Sequence, residues 1–204
     1  SHLYLCIAGE LAAVICIHDP LRREARDAVA ALHACGIGKV VMMTGDNRQT
    51  AQAVAREVGV DAVYAEVLPE DKAAFIRSEK AAGRTVIMVG DGVNDSPALS
   101  EADAGVAIST GAAIAREIAD ITIASEDLFE LVTLRRLSQA LMARIHRNYR
   151  FIVGFNLSLI LLGVAGLLPP TTSALLHNMS TLGISLKSMT DLGPELPSPT
   201  PAER

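Results

Sequence analysis

Tryptophan is absent from this 204-residue chain and aromatic residues reach only 3%, although half of all residues are hydrophobic. Apolar material is plentiful, and with charged residues held to 20% a wholly disordered chain is excluded. Excess basic charge is lacking too: 18 Lys and Arg face 23 Asp and Glu, for a net charge of −5. That balance argues against a nucleic-acid partner, which requires a basic face. Cysteine is scarce. Cys6, Cys16 and Cys35 are odd in number and follow no metal-ligand spacing, so reduced, buried thiols are expected rather than a disulfide framework. Residues 1–9 lack the charged region and cleavage pattern of a secretory signal.

The mean hydropathy of +0.33 is high for a soluble domain, and its source is local. Between Phe151 and Met189 the only ionisable residues are His177 and Lys187. FIVGFNLSLILLGVAGLL approaches the roughly 20 apolar residues that cross a bilayer. Pro169-Pro170 breaks it, and the more polar TTSALLHNMSTLGISLKSM follows. The expectation is a transmembrane helical hairpin over residues 151–189, set against a pair of buried helices in a soluble protein. Arg144, Arg147 and Arg150, just ahead of the first segment, favour the membrane and mark its cytoplasmic side. Residues 127–150 read as an amphipathic stalk helix, and the Pro- and Ser-rich residues 190–204 as a disordered tail.

Residues 1–126 carry a different pattern. LYLCI and LAAVICI flank Ala8-Gly9-Glu10 as a hairpin. Asp19-Pro20 opens a helix that Gly36 stops near Cys35. KVVMM, a short strand at 62–64, TVIMV, GVAIS and ITIAS then alternate with helices. This is the signature of an α/β domain, a parallel sheet with helices on both faces.

Ligands of such sheets sit beyond the carboxyl ends of the strands. Thr44-Gly45-Asp46-Asn47 follows one strand at a helix N-terminus, where anions are favoured. Gly90-Asp91-Gly92-Val93-Asn94-Asp95 follows another, with two carboxylates and an amide suited to Mg²⁺. Lys72, in LPEDK, offers a point charge to phosphate. Singly, Asp46 or Asp95 could be a helix cap and Lys72 a solvated lysine.

In this order, TGDN, LPEDK and VGDGVNDSPAL resemble the phosphorylation domain of the P-type ATPases, within the haloacid-dehalogenase-like superfamily. The resemblance covers residues 1 to about 190 and, with one final hairpin, is similar to the heavy-metal-transporting branch. It implies an aspartyl-phosphate intermediate formed from ATP with Mg²⁺. It assigns Thr44 and Gly45 to the phosphoryl group, Asp46 to orienting their loop and Lys72 to charge neutralisation. Asp91 falls to Mg²⁺, and Asn94 and Asp95 to holding the phosphate and the loop.

The family's DKTGT nucleophile string does not occur in this sequence, and neither do its nucleotide-binding and actuator domains. The expectation is the carboxyl-terminal part of a longer, multi-pass transporter of a bacterial plasma membrane, inactive alone. Its partners would be a transported transition-metal ion, the lipid bilayer and the remainder of the transporter. Polar residues in the hairpin are candidate cargo ligands: Asn156, His177, Met179, Ser180 and Thr181. Phe155-Asn156 and Met179-Ser180-Thr181 resemble the copper(I) pattern of the family, whereas His177 keeps a divalent metal such as zinc, cadmium or manganese in contention. Other classes weighed are a soluble haloacid-dehalogenase-type phosphatase, which lacks its Asp-x-Asp motif here, and a non-catalytic membrane regulator.

Overall fold

A computed structural model describes residues 2–7, 9–16, 21–91, 94–108, 117–124 and 127–192, without the side chains of 2, 3, 15 and 16. The chain divides into two units, Ser1–Leu128 and Phe129–Arg204.

The first unit opens with an antiparallel ribbon of β1 (His2–Ile7) and β2 (Glu10–Cys16), turned at Gly9 with φ 83°. Helix α1 (Ala25–Ala34) buries Ala25, Ala28 and Val29 and ends at Cys35 and Gly36, whose φ of 84° suits only glycine at low cost. The expected start at Asp19-Pro20 lies outside the described residues. The helix begins later than the sequence suggests because Arg22 to Ala25 close a turn, Ala25 N–H donating to the Arg22 carbonyl. Then follow β3 (Val41–Met43), α2 (Arg48–Val58), β4 (Ala62–Tyr64), α3 (Pro69–Ala81), β5 (Ile87–Gly90), α4 (Ser96–Glu101), β6 (Ala104–Ile108) and β7 (Ile121–Ile123).

All pairing among β3 to β7 is parallel, as expected of βα alternation, but among the described residues these strands fall into two sheets. β3 pairs with β4, and β5, β6 and β7 form a separate set of three. A list of strands cannot say which are neighbours, and here β3 and β5 are not hydrogen-bonded to each other. The helix expected between GVAIS and ITIAS falls mostly outside the described residues. Packing uses small side chains: Ala51, Ala55, Ala73, Ala98 and Ala107 are buried with Ile76, Leu99 and Val106. Tyr64 and Phe75, with ring centroids 4.9 Å apart, join β4 to α3.

In the second unit the stalk and the first apolar segment are one helix, α5 (Phe129–Val164). Gly166, at φ 71°, ends it, and Pro169 precedes α6 (Pro170–Ser188). The two helices are antiparallel and bonded at three levels. Arg144 donates from both terminal nitrogens to the carbonyls of Thr190 (2.6 Å) and Asp191 (2.9 Å). Asn148 Nδ2 donates to Ser188 Oγ at 2.9 Å, and His177 meets Asn156 at 2.8 Å. Arg144 is 5% exposed, a cation buried against backbone oxygens. Among the described residues, no helix is long and apolar enough to cross a membrane. The apolar part of α5 starts after Arg150 and stops at Val164, which at ~1.5 Å per residue falls short of the ~30 Å hydrocarbon. The expected hairpin is therefore present as a pair of antiparallel helices, neither of them long and apolar enough by itself to cross a membrane.

Candidate functional site

The loop after β3 is tied together by its own side chains. Thr44 Oγ1 donates to Asp46 Oδ2 at 2.7 Å, and the Asp46 N–H donates back to Thr44 Oγ1 at 3.1 Å. Asp46 is not the cap of α2. Asn47 is, its Oδ1 accepting from the Thr50 N–H at 3.0 Å. With the carboxylate used to hold Thr44, the loop's donors stand at the positive end of a helix. Gly45 is not demanded by crowding, since a Cβ there would meet only the Val67 carbonyl oxygen at 3.9 Å.

A second strand of contacts runs from this loop into α3. Glu66 N–H donates to the Asp46 carbonyl and Val67 N–H to the Thr44 carbonyl. Leu68 then occupies the N-cap of α3, where Pro69 takes the first turn without wasting a donor and Asp71 accepts from the Leu68 N–H at 3.2 Å. One turn further, Lys72 Nζ reaches Asp95 Oδ1 at 2.7 Å, with the side chains 14% and 13% exposed. Asp95 stands at the N-cap of α4 but makes no side-chain cap bond, and its carboxylate serves the lysine instead. Gly90 is required here. A Cβ at that position would come within 2.8 Å of the Asp95 Cβ.

The structure thus brings Thr44 to Asp46 and Lys72 to Asp95, and links the two pairs through Val67 and α3. Asp91 and Asn94 lie exposed at the carboxyl end of β5, flanking residues outside the description. In the second unit, His177 Nδ1 lies 2.8 Å from Asn156 Oδ1, while Ser180 and Thr181 both donate to the His177 carbonyl. Those three residues share one face as expected, but their hydroxyl protons are spent on the helix. Met179 is exposed and follows His177 by about 200° of helix rotation, so the two do not share a face. Sequence reasoning missed Glu66, which holds φ 57° beside the Asp46 loop, a strain that nothing in the sequence signals. It also missed the buried role of Arg144.

Residues 2–103 match the family of haloacid dehalogenase-like hydrolases, half of the chain. The chain belongs to that family. It is 46% identical over 176 residues to copper-transporting ATPase 2 of Rhizobium meliloti, covering 86% of this chain and 21% of that protein. It is 40% identical over 187 residues to the manganese-exporting P-type ATPase of Mycobacterium tuberculosis, covering 91% of this chain and 26% of that protein. The crystal structure of a zinc-transporting PIB-type ATPase in its E2·Pi state superposes with a TM-score of 0.80 at 30% identity, over 89% of this chain and 30% of that one. The chain therefore spans about a fifth to a quarter of the curated relatives it matches.

Proposed function

We propose that this chain is the carboxyl-terminal part of an ATP-driven transition-metal transporter of the P-type ATPase class, and that residues 44–46, 72 and 91–95 form half of its phosphorylation site. The observation that carries this reading is the bonded path from Thr44 through Val67 and α3 to Lys72 and Asp95, which ties two strand-end loops into one polar assembly. The relatives named above agree with it.

Phosphoryl transfer is mostly positioning and charge compensation. Lys72 is held by Asp95 with its ammonium fixed in place, ready to offset charge on phosphoryl oxygens. The Gly45 N–H is a donor for those oxygens, while the Thr44 Oγ1–H is held by Asp46 Oδ2 and would have to turn from it to serve as a second. Asn94, exposed after β5, offers an amide on the loop that carries Asp95. Among the described residues no three His, Cys, Asp or Glu side chains cluster as a metal cage. Mg²⁺ needs none, because it keeps several waters and takes one or two carboxylates, and the exposed carboxylate of Asp91 fits that demand. Bound there with ATP, Mg²⁺ would neutralise phosphoryl charge. The acceptor aspartate must come from elsewhere in the transporter. Among the described strands β3 pairs only with β4 and β5 only with β6, which leaves an edge of each open to a further strand.

The α5–α6 hairpin is the membrane-embedded end in this reading, with the α/β unit on the cytoplasmic side. Exposed apolar side chains support it, among them Ile160, Leu161, Leu182, Leu186 and Val164, the last 84% exposed. Copper(I) as cargo rests on the soft thioether of Met179 alone, which lies on the face of α6 away from the His177–Asn156 bond. A divalent cargo is the second reading, and the His177–Asn156 bond favours it. The Asn156 amide oxygen accepts from Nδ1–H, leaving the Nε2 lone pair for a borderline ion.

The test uses the full-length parent. Asp91→Asn should abolish phosphoenzyme formation from ATP at ordinary Mg²⁺, and normal phosphorylation would remove the ligand assignment. Loss of copper stimulation in Met179→Leu supports copper(I). Loss of a zinc or manganese response in His177→Ala supports the divalent reading.

A further inference from the structure

β3 and β4 pair in parallel with Met43 opposite Tyr64, and the Thr44 N–H carries the ladder on to the Tyr64 carbonyl at 3.0 Å. The next rung breaks the pattern. A regular parallel ladder would give the Thr44 carbonyl to the Glu66 N–H. Here the Val67 N–H takes it at 3.1 Å, and the Glu66 N–H reaches the Asp46 carbonyl at 3.0 Å instead. Glu66 is the extra residue of this bulge. Its φ of 57° turns two successive amides to one side, which extended backbone does not do.

Peptide planarity carries the effect across the loop. The peptide bonds are trans, so each carbonyl points opposite to the N–H that follows it. Holding the Thr44 and Asp46 carbonyls on residues 66 and 67 aims the Gly45 and Asn47 N–H groups the other way. That way lies the side of β3 on which no described strand is paired. A regular ladder would fix the first of these two peptides and leave the second unheld.

We propose that Glu66 is a positioning residue whose left-handed backbone sets the Gly45 and Asn47 amides as paired donors to one phosphoryl group. The proposal rests on the phosphorylation-site reading of these loops. Asn47 then supplies the second donor that the Thr44 hydroxyl, held by Asp46 at 2.7 Å, does not. The Glu66 side chain is exposed, and the role belongs to its backbone.

The experiment uses the full-length parent and measures phosphoenzyme formed from inorganic phosphate with Mg²⁺. Glu66→Val, whose β-branched side chain opposes left-handed backbone, should raise the half-saturating phosphate concentration about tenfold, as expected on loosening one charge-assisted hydrogen bond. The half-saturating Mg²⁺ concentration should stay within about twofold, because Asp91 lies on another loop. Glu66→Asn and Glu66→Gly, which accept the left-handed region, should rescue phosphate affinity to within about threefold of wild type. A wild-type affinity in Glu66→Val overturns the proposal. So does an equal loss in all three variants, which would assign the effect to the carboxylate. If melting shows that Glu66→Val does not fold, Glu66→Ala should show the same defect at about threefold, and no defect there overturns the proposal. Normal phosphoenzyme formation in Asp91→Asn would instead remove the phosphorylation-site reading, and the role of Glu66 with it.

Discussion

Breaking the Lys72–Asp95 pair should reveal how much of the α/β unit depends on its own functional residues. The pair is short, 2.7 Å, and both side chains are about one-seventh exposed. Exposed ion pairs contribute about 0–1 kcal/mol, while removing one partner of a buried pair costs about 3–5 kcal/mol. At this degree of burial the single variants Lys72→Met and Asp95→Asn should each cost about 2–3 kcal/mol. Amide exchange at Leu99 and Val106, both fully buried in the unit, reports its opening free energy. Exchange there should accelerate about 30- to 150-fold in each variant, at 1.4 kcal/mol per tenfold. The double variant removes the orphaned charge, so its cost should be at least ~1 kcal/mol less than the two singles added together. Additivity within ~0.5 kcal/mol would refute the reasoning, because it would mean the two charges do not feel each other.

Gly105→Ala should destabilise the unit by about 2–3 kcal/mol, because a Cβ would meet the Leu99 carbonyl oxygen at 2.7 Å and backbone cannot swing aside; an unchanged melting temperature would contradict this. Glu66→Gly should stabilise by about 1 kcal/mol through release of its left-handed strain, which thermal melting would register as a rise. The Val86 N–H, and after it Lys80, holds the Asp103 carboxyl below the usual carboxylate range. A folded-state depression stabilises above about pH 4 and is lost as pH falls through the folded value. Asp103→Asn should therefore flatten the acid side of a melting-temperature profile, and parallel profiles would count against the bond.

How much of this was legible beforehand depends on range. The strand at 62–64 and the Gly36 stop were readable because turn residues and periodicity are local signals. The division of the parallel strands was not, since alternation specifies direction and leaves partners open. The chemistry of the two loops could be guessed from residue type, yet the choice between cap and partner could not. Asp95 lies 23 positions from Lys72, and only folding shows that its carboxylate bonds the lysine while Asn47, rather than Asp46, caps α2. In the second unit, a long apolar run behind an arginine cluster suggested membrane spans. The length of continuous helix that is apolar proved shorter than the run of apolar letters, because Gly166 interrupts it. Helical spacing already placed His177, Ser180 and Thr181 on one face, but the bond from His177 to Asn156 on the other helix appears only on folding.

Arg144 gives the last helix an end that its hydrogen-bonding pattern does not reveal. The helix proper finishes at Ser188, but the two carbonyls that receive the guanidinium belong to Thr190 and Asp191. A chain cut after Met189 would keep every turn of α6 and lose two backbone acceptors of a cation that has been withdrawn from water. The boundary for expressing this helix pair is therefore Asp191, and shortening it by two residues removes hydrogen bonds from a desolvated charge. Lysine would be a poor substitute, since a single ammonium lacks the planar fork that reaches two successive carbonyls at once.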